Sequence, residues 1–110
     1  MSTLHSIVWA PVAIEDLEEI ADYVASHDGS DIATSLVERI LDRIDPLSRN
    51  PRRCRIVPEL RAFGIRDYRD LVVSSYRVFF RIQGRTVGII GVLDGRRDLD
   101  QELIRRALGE

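Results

Sequence analysis

Hydrophobic residues in the first half of the chain recur at helical spacing after a short apolar start. Residues 4–9 (LHSIVW) predict a strand, and residues 11–26 and 31–47 predict two amphipathic helices. The apolar positions of the two helices are Ala13, Leu17, Ile20 and Val24, then Ala33, Leu36, Val37, Ile40, Ile44 and Leu47.

The connection between these helices is short and polar. Residues 27–31 (HDGSD) are typical of a turn, in which Ser30 or Asp31 caps the second helix. Two helices joined by so short a turn form an antiparallel hairpin. Pro46 is expected to end or kink the second helix, because proline removes a backbone donor.

From residue 56 onward, apolar and polar residues alternate instead. Residues 68–73, 76–82 and 86–93 predict three strong strands joined by connections short enough only for hairpins. Residues 55–60 (RIVPEL) predict a weak or edge strand, because the segment contains a proline. Residues 98–108 predict a short closing helix.

Together these elements predict a single α+β domain over residues 1–110. An N-terminal strand is followed by an antiparallel helical hairpin packed on a twisted antiparallel sheet, in the order β-α-α-β-β-β, and by a short C-terminal helix. The strand at 86–93 is apolar on both faces, so we expect it to be central or covered.

The strand at 76–82 (YRVFFRI) carries different residues on its two faces. The face with Tyr76, Val78, Phe80 and Ile82 is predicted to be the core side. The other face carries two arginines around Phe79, which are Arg77 and Arg81. One interpretation is a solvated sheet face, and the other is a platform on which nucleic-acid bases stack between phosphate-binding arginines.

Charge divides the chain into an acidic and a basic half, although the net charge is only −2. Residues 1–50 contain ten acids and three arginines, whereas residues 51–110 contain eight acids and thirteen arginines. Either the basic half faces a polyanion or acidic partner, or each half simply solvates itself. All sixteen basic residues are arginine, so no lysine is available to carry a proton.

The remaining composition argues against several classes of site. Cys54 is the only cysteine and there are two histidines, so no internal disulfide, structural metal site or cofactor is predicted. Arginines beside Cys54 are expected to lower its pKa, but no histidine adjoins it to support nucleophilic catalysis. No apolar run approaches membrane-spanning length and no signal peptide is recognised, so a cytoplasmic location without membrane contact is expected.

The segment VLDGRRDL (92–99) places Arg96 and Arg97 at the junction of a strand and a helix. Such junctions often carry functional groups, and paired guanidinium groups bind phosphate well. The structural alternative is a surface ion pair, either Arg96 with Asp94 or Arg97 with Asp98.

Several segments in order resemble the RelE/ParE toxins of bacterial type II toxin–antitoxin systems, over nearly the whole chain. They are W-x-P-x-A-x-x-D-L-x-x-I from Trp9 to Ile20, VPEL at 57–60, YRDLVV at 68–73, YRVFFRI at 76–82, and VLDGRRDL at 92–99. The resemblance implies the same element order and an antitoxin whose C-terminal segment wraps the toxin.

Two mechanisms occur in this superfamily. RelE-like members cleave mRNA on the ribosome, using arginines to bind the phosphate and other groups to move protons. The resemblance makes Arg69, Arg77 and Arg97 the candidate catalytic residues if this chain is such a ribonuclease. ParE-like members instead poison DNA gyrase and block replication.

The expected proton carriers are largely missing from this chain. Leu71 occupies the position of a RelE lysine, Leu103 that of a tyrosine, and Asp94 that of a histidine found in many relatives. General acid–base help is worth about 10²–10⁴-fold in rate, so a ribonuclease without it would be slow. The resemblance therefore favours the ParE-like branch, although Asp94, Glu59 or Tyr68 could replace a missing base.

Three hypotheses follow: a gyrase inhibitor neutralised by an antitoxin, a ribosome-dependent mRNA endonuclease, and a non-toxic binding module. The predicted partners are a cognate antitoxin, forming a hetero-oligomer, and gyrase, or else the ribosome and mRNA. Residues predicted to bind the target or a phosphate are Arg77, Arg81, Arg96 and Arg97. Residues predicted to bind the antitoxin are Leu17, Ile20, Val24, Leu36 and Ile40.

Overall fold

A computed structural model describes residues 4–109, so residues 1–3 and 110 of the predicted domain lie outside the described range. The elements are β1 (Ser6–Trp9), α1 (Pro11–Asp28), α2 (Ser30–Ile44), β2 (Arg55–Ile56), α3 (Pro58–Arg61), β3 (Tyr68–Val73), β4 (Tyr76–Gln83), β5 (Thr86–Asp94) and α4 (Asp100–Gly109). Two short 3-10 segments, Asp45–Ser48 and Pro51–Arg53, connect α2 to β2. Helix α2 ends at Ile44, just before Pro46, as predicted.

The five strands form one sheet in the order β1-β5-β4-β3-β2. Three pairings are antiparallel, whereas β1 runs parallel to β5, with Ser6 opposite Thr86. The predicted α+β class and element order are confirmed. The parallel pairing was not predicted, because a four-residue strand carries no signal of its partner.

Helices cover both faces of the sheet. The hairpin of α1 and α2 packs on one face around Ile40, Val78 and Phe80, all of which are completely buried. On the other face, α3 and α4 pack around Leu60, Phe79 and Leu103, which are also completely buried. Strand β5 is therefore covered on both sides, as its two apolar faces predict.

Phe79 corrects both interpretations of the outer face of β4. Its ring is buried under α3 and α4, so this face is neither solvated nor an open stacking platform. The inner face agrees with the prediction, since Val78 and Phe80 are buried and Tyr76 and Ile82 pack against the same cluster. The sequence did not reveal that α3 and α4 cover this face, because a phenylalanine between two arginines is also typical of an exposed face.

A β-bulge changes which residues of β5 point to each face of the sheet. Phe79 pairs with Gly91 and Phe80 with Ile89, which leaves Ile90 as an extra residue in β5. The extra residue reverses the alternation of side chains beyond it. Val92 consequently joins the core under the hairpin, and Leu93 packs on the opposite face.

Two local predictions are wrong. The first is the cap of α2. Gly29 alone separates α1 from α2 and is itself the N-cap residue, with its carbonyl accepting from the amide of Ala33. Neither Ser30 nor Asp31 caps the helix through its side chain. The predicted strand at 55–60 ends after two residues, because Pro58 begins α3, where a missing N–H costs little.

Candidate functional site

The corner after β5 presents Arg96 and Arg97 at one end of the sheet. The amide of Gly95 donates to the carbonyl of Ser75 at 2.7 Å, which ties the corner to the β3–β4 turn. A Cβ on Gly95 would lie 2.9 Å from Cγ of Arg77, so the chain passes too close to that side chain for any other residue. The backbone therefore holds the two arginines in place.

Arg96 pairs with Asp94, which confirms the structural alternative for this residue. Its Nε and Nη2 donate to the Asp94 carboxylate at 3.1 and 2.9 Å. The Arg96 guanidinium, together with the Arg96 amide, holds the pKa of Asp94 below its ordinary value. Asp94 therefore stays ionised near neutral pH and is poorly suited to accept a proton as a general base.

Arg97 is exposed and differs from its neighbour. Its amide donates to the Asp94 carbonyl at 3.3 Å, but its side chain has no hydrogen bond or ion pair with any residue between 4 and 109. Among the predicted target-binding arginines, Arg97 therefore has the guanidinium most available to a partner.

Arg77 is buried inside the protein instead. Its Nη1 and Nη2 donate to the two carboxylate oxygens of Glu59 at 2.5 and 2.9 Å, and its Nε donates to Asp70 at 2.8 Å. These bonds raise the pKa of Arg77, with Glu59 the largest cause. Arg55 also pairs with Asp70, at 2.8 Å, and the Arg77 guanidinium stacks 4.8 Å from the Phe79 ring centre. The prediction that Arg77 binds a target or phosphate is not supported by this geometry.

Arg69 and Arg81 are half-buried, and each contacts another part of the protein. Nη1 of Arg69 donates to the carbonyls of Arg52 and Cys54 at 3.2 and 2.5 Å. The guanidinium of Arg81 lies 5.6 Å from the ring centre of Tyr68. The three candidate catalytic arginines therefore do not converge on one point, because Arg69 and Arg77 each serve a different internal contact.

A groove runs between α1 and the end of the sheet that carries Arg97. It consists of two adjoining cavities of about 340 and 470 Å³, which share Tyr23, Tyr76 and Arg96. The first cavity also includes Glu19 of α1 and Arg97. The groove thus combines aromatic surface with charges of both signs, which suits a polypeptide partner.

Several known proteins are similar to this chain in sequence. The curated relatives include "Toxin ParE1" of Mycobacterium tuberculosis, 34% identical over 86% of this chain and 93% of its own length. "Toxin ParE3" of Caulobacter vibrioides is 32% identical over 80% of this chain and 84% of its own length. The family model described as "ParE toxin of type II toxin-antitoxin system, parDE" matches residues 7–99. The chain belongs to the ParE toxin family.

The fold agrees with a solved structure of a ParE-containing system. The structure described as "Chromosomal ParDE TA system from P. aeruginosa" superposes with a TM-score of 0.69, over 83% of this chain and 96% of that chain. Sequence identity is 22%, so this likeness supports the ParE fold alone.

Three of the five residues predicted to bind the antitoxin form part of the core of this ParE chain. Val24, Leu36 and Ile40 are 6%, 9% and 0% exposed. Their role as direct antitoxin contacts is therefore not supported. Leu17 and Ile20 are partly buried, and Ile20 also lines the groove beside Arg97. Antitoxin binding by these two residues stays a prediction.

One ion pair that was not predicted from the sequence joins the first and last helices of the ParE chain. Arg106 of α4 donates to both carboxylate oxygens of Asp16 in α1, at 2.6 and 3.0 Å. Arg106 lies three residues after Leu103, and these two are the buried residues of α4, whereas the apolar Leu108 is 74% exposed. That spacing, together with Asp16 three residues after Ala13, was the only signal of the pair.

The environment of Cys54 disfavours its thiolate form in this ParE chain. Burial raises the pKa of its thiol and Asp70 adds to the rise, while the lowering effect of the nearby arginines is smaller. The expectation of a lowered pKa is therefore wrong. Among the described residues, no three His, Cys, Asp or Glu side chains are grouped as a metal ion would require. No helix between residues 4 and 109 is long and apolar enough to span a membrane.

Acid is expected to destabilise this ParE chain partly through Glu59. Hydrogen bonds from Arg77 hold the pKa of Glu59 below its ordinary value of about 4.3. Because the folded-state pKa is the lower one, this stabilisation is present above about pH 4.3 and is lost as pH falls through the folded pKa. Urea unfolding monitored by circular dichroism at several pH values below neutral measures the loss.

The matched variant is Glu59→Gln, which cannot ionise at residue 59. We expect its free energy of unfolding to fall less steeply with acid than that of the wild type. The free energy of unfolding of the variant still falls with acid, because ion pairs also lower the pKa values of Asp94 and Glu102. An acid dependence identical to that of the wild type would contradict the role of Glu59.

Proposed function

We propose that this chain is the toxin of a type II toxin–antitoxin pair, that it inhibits DNA gyrase and so blocks replication, and that a cognate antitoxin neutralises it. It acts in the cytoplasm, where gyrase and DNA meet. Membership of the ParE family and the relatives named as ParE toxins support the toxin class.

The observation that carries gyrase inhibition over RNA cleavage is the environment of Arg77. All three nitrogens of its guanidinium donate to Glu59 and Asp70, so none is directed at a phosphate. Stabilising the charge of a scissile phosphate requires donors already aimed at it. Asp94, which takes the position of a histidine in many relatives, is ionised against Arg96 and so is poorly placed to act as a general base. A protein that grips its target rather than cutting RNA fits this arrangement.

Arg97 is the residue through which we propose that the toxin contacts gyrase. It is exposed, it lines the cavity of about 340 Å³ in the groove, and arginine is among the residues that dominate binding energy at protein interfaces. Acidic residues of the antitoxin bind the same groove and cover Arg97, which makes neutralisation a matter of competition for one surface.

Arg97→Ala is expected to raise the concentration needed to inhibit gyrase by tenfold or more, about 1.4 kcal/mol of binding free energy. A supercoiling assay with purified gyrase and relaxed plasmid measures the change. Asp94→Ala is expected to retain inhibition. Arg85→Ala is the matched control, because Arg85 is an exposed arginine in the turn before β5, at the far end of that strand.

A translation extract run in parallel distinguishes the three hypotheses. Loss of supercoiling with intact mRNA, reversed by added antitoxin, supports the proposal. Cleavage within codons in the extract, dependent on Asp94, would mean that the protein is a ribonuclease. Neither effect from the wild type would leave a non-toxic binding module.

A further inference from the structure

A second basic surface lies at the opposite end of the sheet from Arg97. His5 directly precedes Ser6, which pairs with the first residue of β5, whereas the Arg96–Arg97 corner follows the last residue of β5. An open pocket of about 310 Å³ lies there. Its lining residues are His5, Arg49, Asn50, Pro51, Arg52 and Arg53.

The arginines of this pocket are not used inside the protein. Arg49, Arg52 and Arg53 are exposed, and none forms an ion pair or a side-chain hydrogen bond with residues 4–109. The lining contains no carboxylate. In contrast, the arginines that stabilise the fold, such as Arg77 and Arg106, each bond to two carboxylates.

The backbone beneath these side chains is held firmly. Arg69 donates to the carbonyls of Arg52 and Cys54, and Pro51 is buried. At the other wall, the amide of His5 donates to the carbonyl of Ser48 at 2.7 Å. A fixed backbone reduces the entropy lost when the arginines bind a ligand.

His5 provides a further polar atom without a partner. Its Nδ1 is buried and has no hydrogen bond within residues 4–109. Buried polar atoms are normally satisfied, so a missing partner indicates a bound group or water. Because Nδ1 itself is buried, a water rather than a phosphate oxygen is the group that could reach it.

We propose that this pocket binds phosphates of the duplex DNA backbone. Arginine forks match phosphate oxygens, and contacts of this kind position a protein on DNA without reading its sequence. The lining has no Phe, Tyr or Trp on which an unpaired base could stack, which favours a duplex over a single strand. The choice of DNA rests on the proposed function, since gyrase acts while it holds a DNA duplex.

The test measures binding of the full chain to a fluorescein-labelled, 20-base-pair DNA of arbitrary sequence, by anisotropy, without gyrase. The pocket variant is Arg49→Gln/Arg52→Gln/Arg53→Gln. The control variant, Arg61→Gln/Arg66→Gln/Arg105→Gln, removes the same charge from three exposed arginines that line none of the pockets described above. Circular dichroism verifies that both variants fold.

Salt dependence gives the sharpest readout. Each phosphate contact contributes about 0.9 to the slope of log affinity against log salt, so three contacts contribute about 2.7. A rise from about 50 to 200 mM salt should then weaken wild-type binding by about 40-fold more than binding by the pocket variant. The control variant should keep the wild-type slope.

Three results would overturn the proposal. The first is an equal loss of DNA affinity in the pocket variant and the control variant. The second is the absence of DNA binding by the wild type at low salt. The third is pocket-dependent binding of duplex or single-stranded RNA that is tighter than binding of DNA. Because gyrase is absent, this result is independent of the supercoiling assay. DNA binding without gyrase inhibition would remove the proposed function and leave the pocket assignment intact.

Discussion

Replacing Arg77 with alanine is expected to lower the free energy of unfolding by about 3–5 kcal/mol at neutral pH. The substitution leaves the carboxylate of Asp70, a residue only 2% exposed, with Arg55 as its remaining partner, and leaves Glu59 with none. An unpaired buried charge costs far more than the net worth of the pair that held it. The contact between the Arg77 guanidinium and the Phe79 ring is lost as well.

Urea unfolding of purified protein measures this effect, with Arg97→Ala as the matched control. Arg97 is exposed and unpaired among the described residues, so its removal should change stability by less than about 0.5 kcal/mol. Arg77→Lys should fall between wild type and Arg77→Ala, because a single ammonium cannot reproduce two parallel bonds to Glu59. If Arg77→Ala were as stable as the wild type, the buried ion-pair cluster would be wrong.

This contrast matters for interpreting toxicity. Loss of toxicity in an Arg77 variant would report loss of the fold, whereas the same loss in an Arg97 variant would report loss of contact with the target. Measuring stability and gyrase inhibition on both variants separates these causes. Arg77 is then a structural residue in a position that the resemblance associates with phosphate binding.

Removing Arg106 is the second change for which we expect a large effect, again about 3–5 kcal/mol. Strand β1 ends at Trp9, so beyond Ile89 the edge of β5 has no neighbouring strand. Arg106 donates to the Ile90 carbonyl at 3.1 Å, and Asp16 accepts from the Val92 amide at 3.0 Å. The ion pair therefore satisfies backbone groups that a strand would otherwise bond.

Arg106→Ala should lower stability and speed hydrogen exchange at the Val92 amide. Arg105→Ala is the control, because Arg105 lies next along α4 but is exposed and bonds only to Glu102. Combined with Asp16→Ala in a double-mutant cycle, the two losses should be clearly less than additive. Additive losses would show that Asp16 and Arg106 act independently.

Hydrophobic periodicity was sufficient to predict most of the fold, because helices and strands of this chain each bury a regular face. The outer cover of β4 was not predictable in the same way, since Phe79 alternates with arginines as it would on an exposed face. The α3 helix was missed for a similar reason: Pro58 disfavours a strand, but four residues are too few to show helical spacing.

The candidate site was less accessible to sequence reasoning. Whether an arginine is available depends on carboxylates far along the chain, and Glu59, Asp70 and Arg77 meet only in the folded state. The VPEL, YRDLVV and YRVFFRI segments each contribute one residue to that cluster. Arg96 and Asp94 were paired correctly because they are two residues apart, where local geometry decides the contact.

The short borders of the sheet also bear on self-association. A long unpaired strand edge recruits strands from other molecules and leads to aggregation. Here the border strands, β1 and β2, have only four and two residues, and the Asp16–Arg106 pair occupies the stretch of β5 that β1 leaves uncovered. On the other border β2 pairs with only two residues of β3 and leaves residues 71–73 open. Each open stretch of edge is therefore short, which disfavours pairing of this sheet with the sheet of a second copy.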